Sequence, residues 1–314
     1  MMIPFISICI PAYQRPQYLQ RLLDSIVEQT YRDYEVIVTD DSPDETVKHL
    51  CEQYKDRIPL HYYKNPTPLG TPANWNVAIK LAKGMWIKLM HDDDWFASPN
   101  ALQQFAEAAQ NNDGAFIFSA YCNVYEDTGR QSICFADKIR LNQLRKKPES
   151  IVSKNIIGHP STTLHPNHRH FYDERLKWMV DIEFYIRELR HSRFHYINQV
   201  LVNIGMSDSQ VTAQVKMHPE VEVPEHLYFL EKMGVEHLKN VFVYDYYWRF
   251  IRNFRITTND FLTKYAPHNT PHPILTKMIN FQRKIPYSLL KFGPISKFLM
   301  LLHYIFNKNH IKQQ

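Results

Sequence analysis

Two hydrophobic rhythms alternate along the first 125 residues. Phe5 to Ile10 is a continuous apolar run of the kind expected for a strand covered on both faces. Leu19, Leu22, Leu23, Ile26 and Val27 then recur at helical spacing. The alternation repeats. Strands are predicted at Glu35–Thr39, Leu60–Tyr63, Met85–Met90 and Ala115–Val124. Helices are predicted around Val47, Leu50, Cys51 and Tyr54, around Trp75, Ala78, Ile79 and Ala82, and around Leu102, Phe105, Ala106 and Ala109. This βαβα order predicts an α/β fold, a mostly parallel sheet flanked by helices.

Beyond residue 125 the rhythm changes. Asp127-Thr128-Gly129-Arg130 has hairpin-turn chemistry. Arg140 to Lys154 is basic and predicted as a loop or short helix, Val180 to Arg190 as a helix, and Phe194 to Ile204 as paired strands. From Pro224 onward the pattern is helical and rich in aromatic and basic residues. The expected division is a domain over 1–222, with halves at 1–125 and 126–222, and a helical extension over 223–314.

Composition narrows the classes. The 314 residues are 44% hydrophobic and 13% aromatic, enough for a packed core, so global disorder is excluded. A net charge of +5 is too small for a chain that coats nucleic acid, and no nucleic-acid partner is expected. Only 8 glycines occur, and neither a G-x-G-x-x-G fingerprint nor a P-loop is present. Cys9, Cys51, Cys122 and Cys134 form no C-x-x-C pair, which suits reduced thiols in a cytoplasmic protein. Met1 to Ala12 lacks a basic leader and a cleavage site, so a strand is expected there and not a signal peptide.

The chemistry gathers at strand ends, where open α/β sheets bind ligands. The first strand runs into Pro11-Ala12-Tyr13-Gln14-Arg15, the second into Asp40-Asp41-Ser42, and the strand at Met85 into His91-Asp92-Asp93-Asp94. Three successive carboxylates repel one another, and a positive charge must offset them. Mg²⁺ or Mn²⁺ does this with oxygen ligands, completing its shell with phosphates and water. The competing explanation is a solvated acidic turn ahead of a helix.

These segments resemble family 2 glycosyltransferases of the GT-A fold. Ser7 to Arg15 is similar to the family's opening strand and loop, with Gln14 where Asn is usual. Leu22 to Tyr34 and Glu35 to Asp44 follow at family spacing, Pro43 replacing part of a Gly-Ser turn. Asn74 to Ile79 with Ala82-Lys83-Gly84 matches the next motif in a form associated with surface-polysaccharide enzymes. His91 to Asp94 occupies the metal-binding D-x-D-D, and Asp181 to Phe184 resembles the segment carrying the catalytic base.

The resemblance implies an inverting, metal-dependent transfer of sugar from a nucleoside diphosphate, UDP favoured, to a glycan or lipid-linked acceptor. It implies Asp94, with Asp92, as ligands of Mn²⁺ or Mg²⁺. It assigns Pro11, Ala12, Tyr13, Arg15, Asp41, Asn76, Asp92 and Asp93 to the nucleotide, with Arg15 serving equally as a cap for the following helix. Asp181 is the implied general base, and Glu183, which a short slip in register would exchange with it, is the alternative. Val180 stands where the family has Glu.

Two rivals are a sugar-nucleotide pyrophosphorylase, which needs a glycine-rich phosphate loop, and a binding protein that has lost catalysis. His165, His168 and His170 are expected in a surface loop. Residues 283–308 are apolar but broken by Lys291, Gly293, Pro294 and Lys297, too interrupted to span a bilayer. Peripheral contact with an anionic membrane surface is the expectation for this stretch, with a helix docked on the protein as the alternative.

Overall fold

The computed structural model describes residues 3–207 and 217–311. The chain divides into two compact units that interleave in sequence. The first comprises Met1–Arg145, Ile156–Glu174 and Phe184–Gln210, and the second Lys146–Asn155, Arg175–Glu183 and Val211–Gln314.

The first unit is built on a nine-stranded sheet. Strands β1 (Ile6–Ala12), β2 (Tyr34–Asp40), β3 (Leu60–Lys64) and β4 (Trp86–Leu89) pair in parallel in the order β3-β2-β1-β4. The sheet continues through β8 (Thr163–Pro166), β6 (Phe116–Tyr125), β9 (Phe194–Met206) and β5 (Trp95–Phe96), with β7 (Gln131–Cys134) off β6. β8 runs antiparallel to both β4 and β6 and joins the two halves of the sheet. Where paired strands were expected over 194–204, there is one 13-residue strand parallel to β6. A register irregularity opposite Ser119–Tyr121 breaks its alternation, and that break is what imitates two strands in sequence.

β1 and β2 are buried at every position. Ile6, Ile8, Ile10 and Ala12 share a core with Leu19, Leu22, Leu23 and Ile26 of helix α1 (Pro16–Val27), Val47 and Leu50 of α2 (Thr46–Glu52), and Phe105 of α4 (Ala101–Asn111). Helix α3 (Ala73–Leu81) packs on β1 and β2. Pro16 opens α1 at the first helical position, where its missing N–H costs no hydrogen bond. His165 is buried in β8, stacked 6.3 Å from Phe116, and not in a surface loop.

The second unit is helical. Its core includes Val223, Leu227 and Leu230 of α7 (Pro219–Met233), Tyr244, Tyr247 and Trp248 of α8 (Val241–Asn253), and Met278 and Ile279 of α10 (Pro273–Gln282). Arg249 ties α8 to the Ser153 carbonyl at 3.1 Å.

One glycine sets the spacing between β1 and the turn before β4. The Gly84 N–H donates to Ser7 Oγ at 2.8 Å and to Glu35 Oε1 at 3.1 Å. A Cβ there would lie 2.7 Å from the Ser7 backbone nitrogen. Backbone cannot yield as a flexible side chain can, so Gly84→Ala is expected to cost about 2 kcal/mol of stability. Urea unfolding measures this, and an unchanged midpoint would contradict the close approach.

Candidate active site

The strand order brings the chemistry together. β1 lies between β2 and β4, and the chain order reverses between β1 and β4. That reversal opens a crevice at the carboxyl ends of the strands. Pro11 and Ala12 end β1, with Tyr13 half-exposed beyond them. Gln14 holds a left-handed φ of 52°, and its N–H donates to Ser42 Oγ at 2.8 Å. Asp41 follows β2, its N–H donating to the Ala12 carbonyl at 3.0 Å.

The two aspartates after β2 do different work. Asp40 is fully buried and accepts from Ser42 N–H, Tyr62 Oη and Lys64 Nζ, at 2.8, 2.7 and 3.1 Å. Asp41 accepts from Asn65 Nδ2 at 2.7 Å and Gly70 N–H at 2.8 Å. A carboxylate has about four acceptor positions, so Asp41 retains capacity for a further donor.

His91 to Asp94 follow β4, closed by an Asp94 N–H to His91 carbonyl bond of 3.1 Å. Arg15 supplies the charge the aspartates require. Its guanidinium bonds Asp92 Oδ1, and Asp93 Oδ2 at 3.1 Å. Asp92 also accepts from Tyr13 N–H at 3.4 Å. One guanidinium does not balance three buried carboxylates. Burial pushes Asp92 up to about 7 against the pull of Arg15, and burial with Asp93 beside it holds Asp94 well above the usual carboxylate range.

Asp94 accepts from Gly205 N–H at 3.2 Å and from the Ser161 hydroxyl. Ser161 Oγ also accepts from His91 N–H at 2.9 Å. Lys88, fully buried within β4, donates to the carbonyls of Ser161 and of Thr163, the latter at 3.2 Å. It thereby fixes the segment bearing Ser161. Burial lowers the Lys88 ammonium to about 7, opposed by Asp94.

His91, Asp93 and Asp94 each present a ligand atom, all within 4.8 Å of one another. Asp94 Oδ2 and His91 Nε2 are buried and have no hydrogen-bond partner. Orphaned buried polar atoms are rare, and a cation is one standard explanation. Burial holds the His91 imidazole down, at about 4, hence neutral and competent to ligate. The ring rests against Trp75 with centroids 4.6 Å apart. The donor set therefore fits a divalent cation. It pairs Asp94 with Asp93 and His91, while the Asp92 carboxylate faces Arg15 and Tyr13.

Asn76 is placed as a strut. Its amide donates to the Tyr172 carbonyl at 2.9 Å and Glu174 Oε1 at 3.0 Å, and its Oδ1 accepts from Tyr172 N–H at 2.8 Å. Trp75 and Trp86 are buried, whereas Trp95 is half-buried with the Arg21 guanidinium 3.7 Å from its ring centre.

Asp181 and Glu183 belong to the second unit, in the first turn of α6 (Val180–Leu189). Asp181 Oδ1 accepts from Ile182 N–H at 2.9 Å, and burial raises the carboxyl to about 6. Glu183 is buried and paired with Lys232 at 2.8 Å. The two carboxylates thus differ: one is held by an ammonium, the other is raised toward neutral pH.

Several residues carry the site without a motif. Asn65 bridges Asp41 and Asn74 Oδ1, the latter at 2.8 Å. Lys88 stands out in sequence only as a lysine inside an apolar strand. Glu225 fastens the approach to α6: Oε1 accepts from Lys177 N–H at 2.7 Å, and Oε2 from Trp178 and Met179 N–H at 2.9 and 3.0 Å. Removing it strands three donors beside a buried cavity, so Glu225→Ala is expected to cost about 2 kcal/mol. Chemical denaturation reads this directly, and a loss below experimental error would contradict the fastening role.

Comparison with known proteins bears on the family and the fold. The model of "Glycosyl transferase family 2" matches residues 7–177, more than half of the chain. An uncharacterised glycosyltransferase of Rickettsia typhi is 28% identical over 220 residues, 67% of this chain and 66% of that protein, just short of two thirds of its length. Escherichia coli chondroitin synthase is 26% identical over 205 residues, 64% of this chain but 29% of its own. Among solved structures, residues 1–349 of Staphylococcus aureus TarS with UDP-GlcNAc superpose with a TM-score of 0.65 at 16% identity, covering 99% of this chain and 93% of that one. The Pyrobaculum calidifontis mannosyltransferase PcManGT with GDP-Man and Mn²⁺ gives 0.56 at 14% identity, covering 100% and 89%. These structures share the fold, a GT-A-like sheet flanked by helices. With the family model spanning the crevice, the acidic loop and the segment reaching toward α6, the chain belongs to glycosyl transferase family 2.

Proposed function

We propose that this chain transfers a sugar from a nucleoside diphosphate, UDP favoured, to a hydroxyl of a glycan or lipid-linked acceptor, inverting the anomeric carbon, in the building of a surface polysaccharide on the cytoplasmic side of a membrane. The observation that carries this reading is the pair of orphaned ligand atoms, Asp94 Oδ2 and His91 Nε2, in the crevice beside β1 and β4. TarS binds UDP-GlcNAc and UDP, and PcManGT binds GDP-Man and Mn²⁺. Chondroitin synthase, a partial relative, supports a polysaccharide product.

His91, Asp93 and Asp94 would hold Mn²⁺ or Mg²⁺. Such a cation supplies charge neutralisation for a departing diphosphate. Pro11, Ala12 and Tyr13 line the base pocket through the chain at the end of β1, and Asp41 offers its remaining acceptor positions to the base. Arg15 binds and orients Asp92 and Asp93. Asn76 acts on the donor site indirectly, by holding the segment through Tyr172 and Glu174.

Asp181 is assigned as the general base. It takes the acceptor proton as the acceptor oxygen bonds to the anomeric carbon. The bond from that carbon to the diphosphate breaks, and its electron pair leaves with the phosphate. A base serves best when its pKa approaches the working pH, and burial raises Asp181 in that direction. Glu183, neutralised by Lys232, is the weaker candidate.

Asp181→Asn is expected to lower transfer by about 10²-fold or more while donor affinity stays within about twofold. Full activity in this variant would sink the assignment. The ionised form is the active one and the carboxyl titrates at about 6. The rate at subsaturating acceptor should therefore fall about tenfold per pH unit below that value and level off above it. A profile flat from about pH 5 to 8 would contradict Asp181 as the base. Retained donor binding with no transfer in the unmodified protein would favour a degenerate binder.

A further inference from the structure

We infer that the helix α12 (Gly293–Asn307) docks the chain on an anionic lipid surface through an apolar face that the fold leaves uncovered. One face of this helix is used internally. Ser296, Met300 and His303, at i, i+4 and i+7, are buried in the second unit. Trp248 Nε1 donates to Ser296 Oγ at 3.1 Å, and Tyr244 Oη lies 2.6 Å from His303 Nδ1. The opposite face carries Phe298, Leu301 and Ile305, at i, i+3 and i+7, exposed by 61, 43 and 56%. Phe292 before the helix and Phe306 near its end add 57 and 74% exposure. A helix that needed only to dock would be polar on its outer side. This one carries its large apolar side chains on the outer side.

Charge identifies the occupant. No Asp or Glu occurs after Asp260, and these last 54 residues carry eight Lys and Arg. The other 260 residues hold 29 basic against 32 acidic side chains, so the positive charge of the chain is concentrated here. Arg283, Lys284, Lys291, Lys297 and Lys308 are all exposed. Exposed aromatic and aliphatic side chains among cations, in a stretch of sequence without an acidic residue, match the boundary between acyl chains and anionic headgroups. A second protein copy would bring the same positive charge and be repelled. No described helix is long and apolar enough to cross a membrane. The contact is therefore a surface one, and it rests on this face alone, independently of the sugar-transfer reading.

Flotation of the full chain with vesicles tests this. Binding is expected to vesicles holding about 30 mol% phosphatidylglycerol and to be lost in those of phosphatidylcholine alone or in about 0.5 M NaCl. Joint substitution Phe298→Glu, Leu301→Glu and Ile305→Glu should cut binding by at least about tenfold with the thermal midpoint unchanged, because all three side chains already face solvent. Lys297→Glu with Lys308→Glu should also weaken binding to the anionic vesicles. The inference is overturned if the intact chain stays with the dense fraction, or if the triple variant floats as well as the parent. It is equally overturned if sedimentation shows a dimer that the triple variant dissolves, which would give the face to a second copy.

Discussion

The site depends on buried negative charge that the protein alone does not balance. Three consecutive carboxylates sit at the end of a strand covered on both faces. Arg15 reaches two of them, and Ser161 and Gly205 hold the third by hydrogen bonds. The resulting electrostatic deficit raises Asp92 and Asp94 and leaves one oxygen of Asp94 and one nitrogen of His91 without partners. A purely structural acidic turn would put its carboxylates in water or on helix N–H groups. Here they are buried, and Asp93, Asp94 and His91 present ligand atoms close together, an arrangement that costs stability unless further positive charge offsets it.

The scaffold explains how so little sequence specifies such a site. Strand order places the ends of β2, β1 and β4 side by side, so residues 12, 41 and 91–94 become neighbours by topology. Lys88 and Ser161 then set the fine geometry from β4 and the segment before β8. A buried ammonium bonded to two carbonyls is a rigid peg, and it holds the hydroxyl that serves both His91 and Asp94. In the second unit Glu225 plays the matching part, pinning three N–H groups just ahead of Asp181.

What was legible in the sequence follows from contact range. β1, β2 and the helices between them announce themselves because burial on both faces, or on one stripe, writes a local period. The strand-end motifs are local too. The fold class and the meeting of these strand ends, Arg15 with Asp92 and Asp93 among them, are therefore legible in the sequence. Asn65, Lys88, Ser161, Gly205 and Glu225 were not, because each acts on a partner far away in the chain and carries no periodic signature. The register irregularity in β9 hid a single long strand. The segments 146–155 and 175–183 lie in the second unit without any shift in composition to mark them. The ion-pairing of Glu183 separates it from Asp181, a distinction that adjacency in sequence cannot make.

Calorimetric titration of the protein with UDP, with and without Mn²⁺, in parallel with Asp94→Ala, tests the central claim most directly. The account predicts nucleotide binding that strengthens at least about tenfold with the metal and loses that gain in the variant, equivalent to about 1.4 kcal/mol. Binding indifferent to Mn²⁺, or a full metal response in Asp94→Ala, would contradict it.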